Sequence, residues 1–150
     1  MPTYSTRKIK VTKRILIMGL PGSGKTKLAE SLKAELLAAN KSVSWFNADD
    51  VRKQYNDWDF SNEGRLRQAG RMKILTGLTL AEFVICDFVA PLPEQRDLFD
   101  AAWTVWVDTI TEGRFADTNQ IFVPPEKYDF RVTEQDSERW AKLITSQIIR

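Results

Sequence analysis

The sequence contains no histidine and a single cysteine, Cys86, among its 150 residues. Without an imidazole, no catalytic step can use a histidine base, which excludes serine–histidine hydrolases and most zinc enzymes. One cysteine cannot form an internal disulfide, so the composition is typical of a reducing compartment. The apolar runs, such as residues 15–18, are far too short to span a bilayer, and no secretory signal is visible. We therefore expect a cytoplasmic protein with no membrane partner.

Acidic residues are missing from the first 29 positions, although the net charge of the whole chain is only +2. The remaining positions carry 15 basic and 20 acidic residues. A basic N-terminal arm over residues 1–13 would suit contact with nucleic acid, but a solvated edge leading into the first strand explains the same charges. We favour the solvated edge and keep nucleic acid as the less favoured partner.

The length and the composition, 43% hydrophobic and 28% charged, are those of one globular domain over residues 1–150. Helical spacing of apolar residues alternates with short apolar runs, and this alternation favours parallel strands joined by right-handed crossovers. The expected fold is an α/β/α sandwich around a mainly parallel five-stranded sheet. Strands are predicted at residues 14–18, 43–46, 83–86, 103–107 and 130–132, helices at 25–39, 63–80 and 136–149, and a loop or lid at 109–128.

Residues 19–26, Gly-Leu-Pro-Gly-Ser-Gly-Lys-Thr, match the phosphate-loop pattern G-x-x-x-x-G-K-[S/T] at every defined position. The segment follows a predicted buried strand and opens a predicted helix, which is the context that the pattern requires. Backbone N–H groups would surround phosphate oxygens, Lys25 would reach the β- and γ-phosphates, and Thr26 would bind Mg²⁺. We therefore predict a P-loop NTPase fold that binds ATP and Mg²⁺. The predicted ATP-binding residues are Gly19, Leu20, Pro21, Gly22, Ser23, Gly24, Lys25, Thr26 and Lys27.

Aspartates follow three of the predicted strands, at positions 49, 87 and 108. Ligands gather at the carboxyl ends of parallel strands, so these carboxylates are candidates for catalysis. We assign Asp49 as the base that accepts the proton of a substrate hydroxyl, and Asp87 as a second residue that holds Mg²⁺. The alternative is that Asp49 and Asp50 cap the next helix, and we assign that role to Asp50. The chain has no Asn-Lys-x-Asp motif of a GTPase and is short for a motor, which leaves a kinase as the favoured class.

The chain also resembles the adenylylsulfate kinases over roughly residues 14–108. Residues 47–52, Asn-Ala-Asp-Asp-Val-Arg, are similar to that family's Asp-Gly-Asp-Asn-x-x-Arg-like segment, and residues 59–61 to its Gly-Phe-Ser. Residues 64–68 correspond to its Asp-Arg-x-Glu-Asn helix start, and residues 89–91 to its Ile-Ser-Pro. The chain departs from the family at Asn47, Gln68 and Ala90, and its lid segment lacks the family's basic helix. The resemblance implies an ATP-dependent kinase of sulfate assimilation that phosphorylates the 3′-hydroxyl of adenylyl sulfate.

The same resemblance implies an acceptor site. Arg52 and Arg65 would clamp an anionic acceptor, because guanidinium groups pair with sulfate or phosphate through two hydrogen bonds, unless they are ordinary surface arginines. Phe60 either stacks on a purine ring or belongs to the core. The implied acceptor-binding residues are Asp49, Arg52, Phe60, Arg65, Gln68, Val89 and Pro91.

Three further questions stay open at the level of sequence. Arg114 is the only arginine of residues 109–128, and it is either a catalytic lid cation at the transferred phosphate or part of a surface loop. Alternative functions are phosphorylation of another hydroxyl, on a nucleoside, a modified DNA base or a small metabolite, and a non-enzymatic nucleotide-dependent interaction module. Five tryptophans leave room for an aromatic interface in a homodimer.

Overall fold

The computed structural model describes residues 11–113 and 116–150, without the side chains of residues 116 and 117. The basic residues before position 11 and Arg114 therefore lie outside the described residues. Five strands and six helices alternate along the described chain. The strands are β1 (Lys13–Met18), β2 (Val43–Asn47), β3 (Phe83–Asp87), β4 (Trp103–Val107) and β5 (Phe130–Val132). The helices are α1 (Lys25–Ala38), α2 (Ala48–Tyr55), α3 (Asn62–Gly77), α4 (Pro93–Phe99), α5 (Ala116–Ile121) and α6 (Ser137–Ile148).

The strands form one parallel sheet in the order β2-β3-β1-β4-β5, which confirms the predicted fold class. From β1, the chain crosses first to the β2–β3 side and then to the β4–β5 side. The strand order therefore reverses direction next to β1, and in such sheets ligands bind outside the carboxyl end of that strand. Asn47 at the end of β2 is in register with Asp87 at the end of β3, and Asp87 is in register with Ile17 of β1.

The core lies on both faces of the sheet because alternate residues of a strand point to opposite faces. Ile15 and Ile17 of β1 pack on one face beneath α1 and α6, whereas Leu16 and Met18 pack on the other. All four residues are fully buried, as expected for a central parallel strand. The first layer includes Leu28, Leu32, Leu36, Ala141 and Ile144, and the second includes Val51, Ala69, Met72, Cys86 and Phe99.

Several helix boundaries differ from those expected. Asn40, the second residue after α1, adopts a left-handed backbone (φ 62°), which confirms it as the stop signal of that helix. Helix α3 ends at Gly77 rather than at residue 80, since the chain must turn there to enter β3, and Leu80 is 99% exposed. Helix α4 was not predicted; it has only seven residues, and Pro93 occupies its first turn, where the missing N–H of proline costs nothing. Helix α5 lies inside the segment expected to be a loop or lid.

The tryptophans do not form the aromatic surface on which a homodimer was considered. Trp106 is buried, and three others, Trp45, Trp103 and Trp140, pack against the first core layer. Trp58 alone among them is half exposed, and it lines a cavity described below. No helix in the described part of the chain is both long enough and apolar enough to cross a membrane.

Candidate functional site

The predicted phosphate loop connects β1 to α1 at the carboxyl edge of the sheet. Gly19 has a φ of 149°, and a side chain there would overlap the carbonyl oxygen of Val107, so only glycine fits. Gly24 precedes the first residue of α1, so the positive end of the helix opens toward the loop. The Lys25 ammonium donates a hydrogen bond of 3.0 Å to the carbonyl oxygen of Leu20 and thereby lies over the loop. The segment thus has the conformation that the sequence pattern requires.

The nine predicted ATP-binding residues divide into two groups. Six of them line a cavity of about 1150 Å³: Pro21, Gly22, Gly24, Lys25, Thr26 and Lys27. Gly19, Leu20 and Ser23 lie behind this surface and support the loop. The carbonyl oxygen of Ser23 accepts hydrogen bonds from the hydroxyl of Thr109 (2.6 Å) and the amide of Gln135 (3.3 Å). These contacts tie the loop to the segments that follow β4 and β5.

Asp87 lies at the end of β3 beside the first turn of α1. Its Oδ2 accepts hydrogen bonds from the Thr26 hydroxyl (3.0 Å) and the Asn47 amide (2.9 Å), and its Oδ1 accepts one from the Trp45 indole (2.7 Å). Burial raises the pKa of Asp87 above its ordinary value, while the hydrogen bonds from Trp45, Thr26 and Asn47 and the positive charge of Lys25 act in the opposite direction. A cation bound beside the buried Asp87 carboxylate would offset the free-energy cost of its desolvation.

The donor set at this position fits Mg²⁺. Thr26 and Asp87, the two residues predicted to hold the metal, lie in hydrogen-bond contact and offer hard oxygen ligands. No group of three or more histidine, cysteine, aspartate or glutamate residues that could hold a metal occurs in residues 11–113 and 116–150. Mg²⁺ usually takes one or two protein ligands and completes its octahedron with waters and substrate phosphates, so a complete protein cage is not needed.

Asp49 lies in the first turn of α2 and lines the same cavity as Lys25 and Thr26. Its side chain is exposed to solvent, where an incoming hydroxyl can reach it. The expected cap at Asp50 is wrong. Asn47 is the N-cap, because its side-chain oxygen accepts the N–H of Asp50 at 3.1 Å while its amide nitrogen faces Asp87. The side chain of Asn47 thereby connects the start of α2 to Asp87.

The far wall of the cavity combines guanidinium groups with aromatic rings. Phe60 is not a core residue: it is 51% exposed, and the guanidinium carbons of Arg52 and Arg65 lie 4.3 Å and 5.4 Å from its ring centroid. Arg52 is 96% buried, and burial lowers its pKa, so it is not an ordinary surface arginine. Its Nη1 donates to the carbonyl oxygens of Asp57 (2.9 Å) and Asp59 (3.1 Å), and the remaining guanidinium nitrogens have no hydrogen-bond partner within the described residues.

A network around Asp57 fixes the segment that carries Trp58 and Phe60. Asp57 accepts hydrogen bonds from Arg67 and Arg71, each at 2.8 Å at the shortest. The bonds from Arg67 and then Arg71 hold the pKa of Asp57 well below its usual range. The shape of this wall therefore depends on ion pairs that lie outside the cavity.

The other predicted acceptor residues also lie at this wall. Val89 and Pro91 line the cavity, and the backbone N–H of Gly19 points to the Val89 carbonyl. Gln68 lines it too, but its amide nitrogen donates to Ala48 (3.1 Å) and its oxygen accepts from Arg71 (2.7 Å), so it ties α3 to α2. By contrast, Asp108 accepts two hydrogen bonds from Arg131 and is not among the residues that line the cavity.

Several residues of the site were not predicted from sequence, among them Trp58, Gln95 and Trp45. Trp58 is half exposed in the cavity wall. The aspartates on either side of it in the sequence could have indicated that it lies outside the core. Gln95 lines the cavity from the unpredicted helix α4; its oxygen accepts the N–H of Leu92, and its buried nitrogen has no partner among the described residues. Trp45 contacts Asp87 from within β2. Because Trp45 lies within the apolar run of a predicted strand, no sequence signal distinguishes it from a core residue.

Arg114, the predicted lid cation, lies outside the described residues, so its role stays a prediction. Its neighbours Glu112 and Gly113 line the cavity, as does Thr118 of α5. The side chain of Asn119 bonds both the N–H and the carbonyl of Gly113. The segment expected to be a lid therefore borders the cavity on both sides of position 114.

Comparisons with known proteins agree with this geometry. Residues 14–96 match the model of the family described as chromatin associated protein KTI12. The adenylyl-sulfate kinase of Bacillus licheniformis is 34% identical over 87 residues, which are 56% of this chain and 44% of that protein. The chain thus matches less than half of the length of that relative. The resemblance to adenylylsulfate kinases seen in the sequence is confirmed.

Solved structures of kinases share the whole fold. An APS kinase from Mycobacterium tuberculosis in complex with AMPPNP and APS has a TM-score of 0.77 and 22% identity, covering 93% of this chain and 98% of that chain. Shikimate kinase from Aquifex aeolicus has a TM-score of 0.61 and 18% identity, covering 91% and 96% of the two chains. At such identities the likeness establishes the fold, which is that of P-loop kinases.

Proposed function

Because this chain belongs to the family described as chromatin associated protein KTI12 and has the fold of P-loop kinases, we propose that it transfers the γ-phosphate of ATP to a hydroxyl group. The leading acceptor is adenylyl sulfate, phosphorylated on its 3′-hydroxyl. The observation that carries this proposal is one cavity that holds the phosphate loop, the Thr26–Asp87 pair, the exposed Asp49 and an aromatic, cationic wall.

The donor half of the cavity supports binding of ATP. The loop offers backbone N–H groups and the N-terminus of α1 to the phosphates, and the Lys25 ammonium, which lies over the loop, would reach them. Mg²⁺, when bound, would neutralise charge on the β- and γ-phosphates. Thr26 would hold it directly, and Asp87 would hold it through a water.

Asp49 is proposed as the general base. The acceptor hydroxyl would attack the γ-phosphorus while its proton passes to the Asp49 carboxylate, and the bond to the bridging oxygen breaks to release ADP. The chain contains no histidine, so a carboxylate is the natural candidate for this function. The position of Asp49 at the start of α2, in the same cavity as Lys25, is compatible with this path.

The acceptor half supports an anion that carries a flat ring. Arg52 and Arg65 present positive charge, and Phe60 and Trp58 present half-exposed aromatic faces. Guanidinium groups recognise sulfate or phosphate, and an aromatic face stacks on a purine. Adenylyl sulfate has both chemical features, and the adenylyl-sulfate kinase of B. licheniformis and the APS-bound M. tuberculosis structure favour it further.

The experiment is a direct assay of the purified protein with ATP, Mg²⁺ and adenylyl sulfate, in which 3′-phosphoadenylyl sulfate and ADP are separated by ion-exchange chromatography. We expect both products to form in equal amounts, and the Lys25→Ala variant to form neither. ADP that appears at the same slow rate with and without acceptor would instead support a nucleotide-dependent interaction module.

A second candidate is a kinase for a different hydroxyl, on a nucleoside, a modified DNA base or a small metabolite. Two observations favour it: Ala90 stands where adenylylsulfate kinases have serine, and Gln68 is committed to contacts within the protein. The two candidates separate in the same assay, because acceptor-dependent ADP release with nucleosides or shikimate but not with adenylyl sulfate would select the second.

A further inference from the structure

Trp45 donates the shortest of the three hydrogen bonds that Asp87 accepts. The indole nitrogen lies 2.7 Å from Oδ1, compared with 2.9 Å and 3.0 Å for the two bonds to Oδ2. Trp45 does not itself belong to the wall of the cavity. Trp45 can therefore act on the site only through the Asp87 carboxylate.

The geometry of the sheet explains how the indole reaches Asp87. Asn47 is the residue of β2 in register with Asp87, and Trp45, two positions earlier, has its side chain on the same face because the side-chain period of a strand is two. The ring packs against the core layer beneath α1, which limits its movement. The hydrogen bond therefore comes from a donor of fixed position.

The two carboxylate oxygens of Asp87 accept hydrogen bonds from different donors. Oδ1 accepts only the indole N–H within the described residues, whereas Oδ2 accepts from Thr26 and Asn47 at the edge of the cavity. Thr26 is the residue proposed to bind Mg²⁺ directly. The oxygen that faces this position is thus Oδ2, and the indole holds the opposite oxygen.

We propose that Trp45 is a positioning residue, whose indole N–H orients Asp87 so that Oδ2 is presented to the Mg²⁺–nucleotide complex. This inference rests on the proposed function, since it concerns how the same site recognises its metal. Partners that orient a metal-binding group from behind commonly change metal affinity by about 10- to 100-fold when they are removed. The hydroxyl and the amide at Oδ2 cannot replace the indole, because they share the oxygen that must accept the metal or its water.

The test compares Trp45→Phe with a matched control, Trp140→Phe. Both tryptophans pack against the same core layer, but the buried indole nitrogen of Trp140 has no hydrogen-bond partner among the described residues. Both variants lose an indole from that layer, and only the first loses a bond to Asp87. Isothermal titration calorimetry then measures the affinity for AMPPNP with excess Mg²⁺ and again with EDTA.

Wild-type protein and Trp140→Phe are expected to bind AMPPNP more tightly with Mg²⁺ than with EDTA. For Trp45→Phe we expect the affinity with Mg²⁺ to fall at least about tenfold while the affinity in EDTA stays unchanged. An equal loss in both buffers, or equal losses in both variants, would mean that the indole only fills space, and would overturn the inference. Thermal unfolding checks that each variant is folded, and Trp45→Met, which like phenylalanine has no N–H or O–H donor in its side chain, replaces Trp45→Phe if that variant does not fold.

The proposed function and the inference fail differently. A wild-type protein that binds no AMPPNP in either buffer refutes the proposed function, and the inference with it. A wild-type protein that shows the Mg²⁺ effect, together with a Trp45→Phe variant that keeps it in full, refutes the inference alone.

Discussion

Replacing Gly64 with alanine should distort the far wall of the cavity, which includes Arg52 and Phe60, while leaving the phosphate loop intact. Gly64 lies in the first turn of α3, directly beside Asp59. An added Cβ would overlap the carbonyl oxygen of Asp59 and would lie 2.5 Å from its Cγ and 2.8 Å from its carbonyl carbon. Backbone atoms cannot yield as a flexible side chain can, so the segment must move. That carbonyl is one of the two that hold Arg52, and Phe60 is the next residue.

The magnitude follows from two opposing contributions. Overpacking of this kind typically costs about 1–3 kcal/mol, whereas replacing glycine by alanine within a helix recovers up to about 1 kcal/mol. We expect a net loss of about 1–2 kcal/mol in the free energy of unfolding, which lowers Tm by roughly 2–8 °C for a chain of this size. In the proposed reaction, the KM for the acceptor should rise about tenfold or more, and the KM for ATP should not change.

Helix α3 supplies two matched controls for this variant. At Gly70 the nearest atom to an added Cβ is Leu98 Cδ2 at 3.8 Å, an ordinary contact, and at Gly77 there is nothing within 4 Å. Gly70→Ala and Gly77→Ala should therefore keep or raise Tm and leave both KM values unchanged. Circular dichroism melts and steady-state kinetics measure these quantities. A Gly64→Ala protein that behaves like the two controls would refute the close approach of Asp59 and its role in shaping the wall.

Four further predictions concern charged side chains. Lys25→Ala should retain less than about a tenth of wild-type turnover in the kinase assay with its Tm unchanged, because the lysine stabilises charge at the transferred phosphate rather than the fold. Asp49→Asn should lower turnover with little change in ATP affinity, whereas Asp87→Asn should raise the Mg²⁺ concentration needed for half-maximal activity; a magnesium titration with the two phenotypes exchanged would show the roles reversed. The pKa of Asp57 is lowered in the folded protein, so its carboxylate stabilises the fold above about pH 4, and this contribution is lost as the pH falls through the folded pKa. The Tm difference between wild type and Asp57→Asn should therefore be clear at pH 7 and smaller at pH 3. Arg114→Ala should cut turnover at least about tenfold without changing ATP affinity, and an unchanged turnover would remove this residue from the mechanism.

The fold class and the position of the phosphate loop at the carboxyl edge of the sheet could be predicted from the sequence. Both depend on local patterns: the period of the apolar residues distinguishes strand from helix, and the phosphate loop is a continuous segment whose glycines and lysine must stand at fixed spacing. The position of Asp87 at the carboxyl edge could be predicted as well, because a carboxylate directly after a buried strand lies at the edge where ligands bind. The same local information did not predict α4, which has only seven residues.

The tertiary structure alone decided which side chains meet across the sheet. Asn47, not Asp50, caps α2, since the cap also has to face Asp87 on the neighbouring strand. Phe60 contacts two guanidinium groups rather than lying in the core, and Trp45 reaches Asp87 through the register of β2 with β3. The hydrogen bonds of Asn47 and Trp45 to Asp87 join residues 40 and 42 positions apart, and a single sequence gives the period of each strand but not its alignment with the next. Strand register and the packing of helices on the sheet are set by the whole core, so the contacts that hold Asp87 and the far wall of the cavity could be seen only in the folded chain.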